Sequence, residues 1–330
     1  MKREPFFDNA KFILIVLVVF GHVIQPMIED VRGVSALYQL IYVFHMPAMI
    51  LLSGYFQRGI HTVREGVQLA KKLLIPYLVF QVIYNGYYAI ANVAPVKSIA
   101  DPHWSLWFMI SLFSWNVLLT FFKRLKPKTG LLLAIGLGLI VGFIEGIDHS
   151  YSLSRTFVFF PFFLLGYHLD KDRLLSTFRF RKVGVMLSVL FAAWTVLYMF
   201  GNFSSGWLFQ SSSYQALGAP SFGVWYRLTY YLLATLFSFI VFSLIPRCRK
   251  RFTDLGQKSL YVYLLHGFFI QYFRQSGMIQ IYNLLDVGVA AGISLLIVFV
   301  LSSRPIWVSF QPLIELNVQA LRKSLKRLET

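Results

Sequence analysis

The first apolar run, FFDNAKFILIVLVVFGHVIQPM from Phe6 to Met27, is long enough to cross a bilayer, yet it carries Asp8, Lys11 and His22. A hydrocarbon core of about 30 Å needs roughly 20 helical residues, so the segment must be helical if it spans at all. At about 100° per residue, the steps from Lys11 to His22 return to within about 20° of the same face, with the two side chains roughly 16 Å apart. Asp8 lies near that stripe, within reach of the Lys11 ammonium one turn on. Ionisable groups at membrane depth are costly, so they face a bundle interior or a wet cavity and are candidates for function. The plain alternative for His22 is a hydrogen bond to a neighbouring helix.

The rest of the chain repeats the theme. Of 330 residues 57% are apolar and only 14% charged, a composition far from that of soluble domains. Runs of membrane length fall at about 12–28, 36–56, 73–93, 104–122, 131–147, 155–169, 183–200, 226–245, 259–274 and 284–303. The expected fold is therefore all-α, a polytopic transmembrane bundle of about ten spans over 1–303, followed by a cytoplasmic tail over 304–330. In that tail Leu316, Leu321, Leu325 and Leu328 alternate with Arg322, Lys323, Lys326 and Arg327, as in an amphipathic helix on a membrane surface. The first run has no cleavage site and is read as a retained span.

Charge placement fits an even number of spans with both termini cytoplasmic. With that orientation only Arg32, Lys97, Arg155, Arg227 and Arg274 of the 31 Lys and Arg residues fall on the outer side. The net charge of +17 is then topological, directed at an anionic inner leaflet, and nucleic acid is not the expected partner. The single cysteine, Cys248, allows neither an internal disulfide nor a cysteine-based metal cluster. The connection from Gly201 to Tyr226 reads as an outer loop.

Other polar groups concentrate in particular spans. His45 opens an inward-running second span at about the depth where His22 ends the first, so antiparallel neighbours bring the imidazoles to one level. A proton shuttle or a metal is open to such a pair, but no third ligand is suitably spaced and no metal is expected. Trp104 and Trp107 begin the fourth span, either as an interfacial belt or as a stacking floor for a sugar ring. Ser259, Tyr261, Tyr263 and His266 mark the ninth, and Glu145 and Asp148 end the fifth. Arg58 lies at the inner end of the second.

The combination of Lys11-x10-His22, FHMPAMILLSGYF at 44–56, SLWFM at 105–109, FFPFFLLGYHL at 159–169 and SLYVYLLH at 259–266 resembles membrane-bound acyltransferase family 3, in its stand-alone, fucose O-acetyltransferase-like branch. The resemblance implies a ten-span bundle that passes an acyl group, usually acetyl from cytoplasmic acetyl-coenzyme A, to a hydroxyl of a carbohydrate or lipid-linked glycan. It also implies a bacterial plasma membrane location. The family's first-span motif has Arg where this chain has Lys11, which keeps the charge but loses the bidentate fork. His22 matches the residue held to be essential.

The residues suit that chemistry. Acylating an alcohol means removing its proton as it attacks a thioester, and a neutral imidazole is the side chain best matched to that task; acyl transfer through the imidazole itself is the other route. The reading is an O-acyltransferase with His22 as general base, Lys11 and Arg58 toward the acyl-coenzyme A donor, Asp8 holding Lys11, His45 and His266 orienting or relaying, and Trp104 and Trp107 holding the acceptor. Acetyl-coenzyme A is a substrate, and no permanently bound cofactor is expected. The rival readings are a transporter or flippase for a lipid-linked saccharide or small solute, and an inactive scaffold. A missing internal repeat and the lack of mid-span carboxylates count against transport.

Overall fold

The computed structural model describes residues 4–92, 96–103, 105–147, 152–170, 183–200, 204–279 and 281–316. Every regular element among them is helical. In chain order they are α1 (Pro5–Ile24), α2 (Arg32–Tyr55), α3 (Val63–Ala91), α4 (Trp107–Phe122), α5 (Pro127–Ile140), α6 (Leu153–His168), α7 (Val183–Phe200), α8 (Gly206–Phe209), α9 (Gly223–Leu244), α10 (Thr253–Gly256), α11 (Ser259–Ser276), α12 (Leu284–Leu301) and α13 (Arg304–Glu315).

Each of the ten apolar runs lies on a helix. Among the described residues four helices are long and apolar enough to cross a membrane alone: α1 with its 3-10 extension to Met27, α2, α3 and α9. A fifth candidate is the pair α12 and α13, bent by 65° at the junction. The chain is thus a helical membrane protein with four or five self-evident spans. Helices such as α4 and α6, each of 16 residues, are only about 24 Å long, short of the hydrocarbon thickness. The 29-residue α3 begins well before the expected 73 and carries Arg64, Lys71 and Lys72 on its first turns. The connection read as one loop over 201–226 contains α8 and the start of α9. Residues 317–330, with Leu321, Leu325 and Leu328 of the tail, lie outside the described residues, as do Trp104 and Asp148.

Local chemistry sets the boundaries. Thr62 caps α3, its hydroxyl accepting from the Glu65 N–H at 3.2 Å. Asn283 and Asp286 cap α12 reciprocally, with Asn283 Oδ1 accepting at 2.8 and 3.2 Å and Asp286 Oδ2 accepting from the Asn283 N–H at 3.1 Å. Pro305 sits in the first turn of α13, where its missing N–H costs nothing.

The helix α2 is the hub, packed against α1, α6, α7, α8 and α9. Against α6 the contact is backbone to backbone. A Cβ on Gly54 would fall on the Phe163 carbonyl, and one on Gly166 on the Leu51 carbonyl, so only glycine permits this approach. The helix α1 lies between α2, α11 and α12. Its first turns are fixed to the α9–α10 connection by buried Asn9, whose Nδ2 donates to Pro246 O at 2.7 Å and Cys248 O at 3.0 Å while Oδ1 accepts from Thr253 at 2.6 Å. We call the end of the bundle where α1 begins proximal, and the opposite end distal.

Candidate active site

Three cavities lie along α1 in series. The proximal one, about 260 Å³, is lined by Lys11, Ile15, Val18, Met46, Ser53, Phe56 and Tyr263 among others. The middle one, about 270 Å³, shares Val18, Met46 and Tyr263 with it and is further lined by His22, Gln25, Tyr42, His45, Lys97, Ser105, Trp107, Arg155 and Arg274. The distal one, about 560 Å³, shares His22 and Arg274 with the middle and adds Asp30 and Tyr282. Val18, Met46 and Tyr263 thus form the partition between the first two chambers, and His22 with Arg274 the partition between the last two.

His22 is half-buried at this second partition. Its Nδ1 lies 2.9 Å from the Tyr42 hydroxyl and 3.5 Å from Gln25 Oε1. The His266 imidazole stacks on it with ring centroids 5.6 Å apart. Tyr42 in turn stacks on Tyr38 at 3.8 Å and meets the His45 ring edge to face at 4.5 Å. Both flanking histidines are fixed by the helix beneath them: His45 Nδ1 donates to the Ile41 carbonyl at 2.9 Å and His266 Nδ1 to the Val262 carbonyl at 3.0 Å. Each therefore presents Nε2 away from its own backbone. Arg274 donates to Gln25 Oε1 at 2.7 Å and to the His22 carbonyl at 3.4 Å, which immobilises the end of α1.

At the proximal end, Lys11 Nζ is 4.0 Å from Asp8 Oδ1 and 4.8 Å from the Phe56 ring centroid. Asp8 is buried and also accepts from Gln257 at 3.4 Å. The structure thus places Lys11 and His22 on one stripe that faces a common row of cavities, with Asp8 behind Lys11. Arg58 is exposed and does not line these chambers, and Glu145 is exposed as well. Trp107 lines the middle chamber, where the Arg155 guanidinium lies over its ring at 5.1 Å.

Five side chains were not anticipated: Gln25, Tyr42, Lys97, Arg155 and Arg274. Three of them had a signal in the sequence. Arg155 and Arg274 are exceptions to the basic-residue asymmetry, and a cation on the disfavoured side needs another reason to be there. Lys97, a third exception, also lines the middle chamber. Its loop is tied to α3 by Asn85 and Gln81, which bond Lys97 O at 2.9 Å, Ser98 O at 3.0 Å and Asp101 O at 2.9 Å. Arg227, a fourth, is fully buried and serves packing, donating to Gly138 O at 2.8 Å and lying over Tyr214 at 4.6 Å. Tyr42 lies three residues before His45 on α2, but so do many tyrosines, and only the packing of α1 on α2 brings it to His22. Among the described residues no group of three metal-ligating side chains converges.

Known proteins are similar to parts of this chain. It is 33% identical over 142 residues to the nodulation protein NolL of Mesorhizobium japonicum, covering 38% of each chain. It is 28% identical over 185 residues to the nodulation protein NolL of Sinorhizobium fredii, covering 50% of this chain and 48% of the relative. The chain thus matches less than half the length of these curated relatives. No solved structure matches it. The model of the acyltransferase-3 family, described as an acyltransferase domain, matches residues 4–303. That match takes in all three chambers and almost every described helix, and the chain belongs to this acyltransferase family.

Proposed function

We propose that the protein is a membrane O-acyltransferase that takes an acetyl group from acetyl-coenzyme A on the cytoplasmic side and passes it to a carbohydrate hydroxyl from the other side. The observation that carries this reading is the row of chambers, with a cation at one end and an imidazole at the partition deeper in. The basic excess on the proximal loops supports placing that end, and both termini, in the cytoplasm, with ten spans as the expected count. The bacterial plasma membrane is the setting implied by the rhizobial relatives.

In this scheme the anionic part of coenzyme A meets Lys11, held by Asp8, at the proximal mouth, and the flexible thioester arm passes Val18, Met46 and Tyr263. The roughly 16 Å between Lys11 and His22 along the helix separates the phosphates from the reacting carbonyl. His22 donates Nδ1–H to the Tyr42 oxygen, which leaves the Nε2 lone pair as base. The acceptor hydroxyl gives its proton to Nε2 as its oxygen attacks the thioester carbonyl. The tetrahedral adduct collapses with loss of the thiolate, which recovers the proton from the imidazolium, so the products are the O-acetyl ester and coenzyme A thiol. His266 stacks on the base, and His45 bears on it through Tyr42. Arg58 is exposed, and its role is confined to drawing the donor toward the mouth.

The test uses purified protein in nanodiscs with labelled acetyl-coenzyme A, wild type against His22→Ala. General-base catalysis contributes about 10²–10⁴-fold, so transfer and thioester loss should fall by at least 10²-fold while the variant inserts and folds normally. Wild-type turnover in His22→Ala would refute the assignment. Absence of any thioester binding or consumption by the wild type would favour transport without chemistry.

A further inference from the structure

The lining of the middle chamber is unbalanced. Lys97, Arg155 and Arg274 all line it, and among the described residues no carboxylate does. Asp101 offsets Lys97 from outside the chamber at 3.7 Å, and Arg274 is engaged with Gln25 and the His22 carbonyl. Arg155 is different. Its Nε donates to the Phe209 carbonyl at 3.1 Å and its Cζ lies over the Trp107 ring at 5.1 Å, and neither contact uses the two terminal nitrogens. The guanidinium is therefore fixed in orientation with its fork of donors left for a ligand, a geometry that matches a carboxylate or phosphate. Like charges sharing one chamber repel, and an anion among them relieves that cost. Each cation is also an exception to the charge asymmetry of the chain, so topology does not account for any of them.

We infer that the acceptor is an anionic saccharide, bearing a carboxylate or phosphate on or next to the ring that is acylated, and that Arg155 reads this charge while His22 takes the proton from the hydroxyl. The inference rests on the acyltransfer reading for the role of the bound saccharide, but not for its binding. The chamber volume of about 270 Å³ lies just below the usual range for ligand pockets, about 300–1,000 Å³, and suits one sugar residue at a time. The remainder of a longer glycan would occupy the distal chamber beyond His22 and Arg274. The donor's phosphates are placed at the Lys11 end, so the two anions of the reaction have separate cationic sites.

Binding is measured first, without donor, on the full chain in nanodiscs at constant ionic strength. The probes are methyl β-glucuronide, glucose 1-phosphate, methyl β-glucoside and coenzyme A. A charge-assisted bidentate pair is worth about tenfold or more in affinity. The charged saccharides should therefore bind about tenfold tighter than the neutral glucoside, with the stronger of the two identifying the oxyanion. Arg155→Gln should bring that ratio to within about twofold, and Arg155→Lys should keep part of it. Equal affinity for charged and neutral probes in the wild type overturns the proposal. So does an Arg155→Gln variant that weakens coenzyme A and leaves the saccharide ratio intact, since the anion would then be the donor's. If Arg155→Gln does not fold, Arg155→Lys and competition by sulfate separate the same outcomes, because sulfate should displace the charged probes only. A charged-probe preference that depends on Arg155, in a protein that transfers no acetyl group, would retain the anion site and refute the acyltransfer reading instead.

Discussion

The contact between α2 and α6 gives the most direct link from sequence to site, and Gly54→Ala tests it. A methyl at Gly54 would lie 2.0 Å from the Phe163 carbonyl oxygen, and normal contact requires about 3.5 Å, so the helices must separate by about 1.5 Å. Overpacking of this kind costs about 1–3 kcal/mol. The displaced helix carries Tyr42, His45 and Met46, and misplacement by about 1 Å of groups around a reacting atom costs about 10²-fold in rate. Gly166→Ala pushes on the same pair of backbones from the other side, so the two effects are not independent. The double variant should be destabilised by at least about 0.5 kcal/mol less than the sum of the singles. Thermal unfolding in detergent and acetyl transfer in nanodiscs give the two readouts. Wild-type stability in either single variant, or strict additivity in the double, would refute direct backbone contact.

Two further outcomes follow from the site and its surroundings. Tyr42→Phe removes the 2.9 Å partner of His22 Nδ1 and leaves Gln25 at 3.5 Å; losing a buried hydrogen bond of about 1–3 kcal/mol should lower kcat by about 10–100-fold with KM for acetyl-coenzyme A unchanged, and a change in KM alone would refute the orienting role. Buried His103, in the distal loop between α3 and α4, donates from Nε2 to Asn85 Oδ1 at 2.7 Å, and burial, reinforced by Lys97 and opposed by Asp101, holds its pKa down at about 4. The unfolded chain then binds the extra proton, so stability is complete above about pH 6.5 and declines toward pH 4, by up to about 3 kcal/mol. His103→Gln should flatten that slope in thermal unfolding across pH, and an unchanged slope would rule out this residue as the cause.

The resemblance of five motifs in order, from Lys11-x10-His22 to SLYVYLLH, was enough to anticipate the family that the whole-chain match establishes. The shared face of Lys11 and His22 was also legible, because it depends only on the fixed rise and rotation of a helix. Span number was less so: ten apolar runs are ten helices, but among the described residues only four or five meet the length of a membrane by themselves, since a short helix is judged by what covers its ends. Arg58 illustrates the limit for charges at a loop, where one residue of displacement separates the exposed Arg58 from Gln57, which lines the proximal chamber.

The sequence by itself determined the material of this protein: helices rather than strands, their approximate bounds, the glycines at 54 and 166, and an imidazole on the same helix face as a cation. These follow from local rules of length, periodicity and backbone freedom. The tertiary structure alone decided which side chains meet. Tyr42 comes to His22 from α2, His266 from α11 and Arg155 from α6, across separations in sequence that no local period encodes. The partitions between the chambers are likewise products of packing, because a cavity is defined by the several helices that fail to close it and by none of them singly.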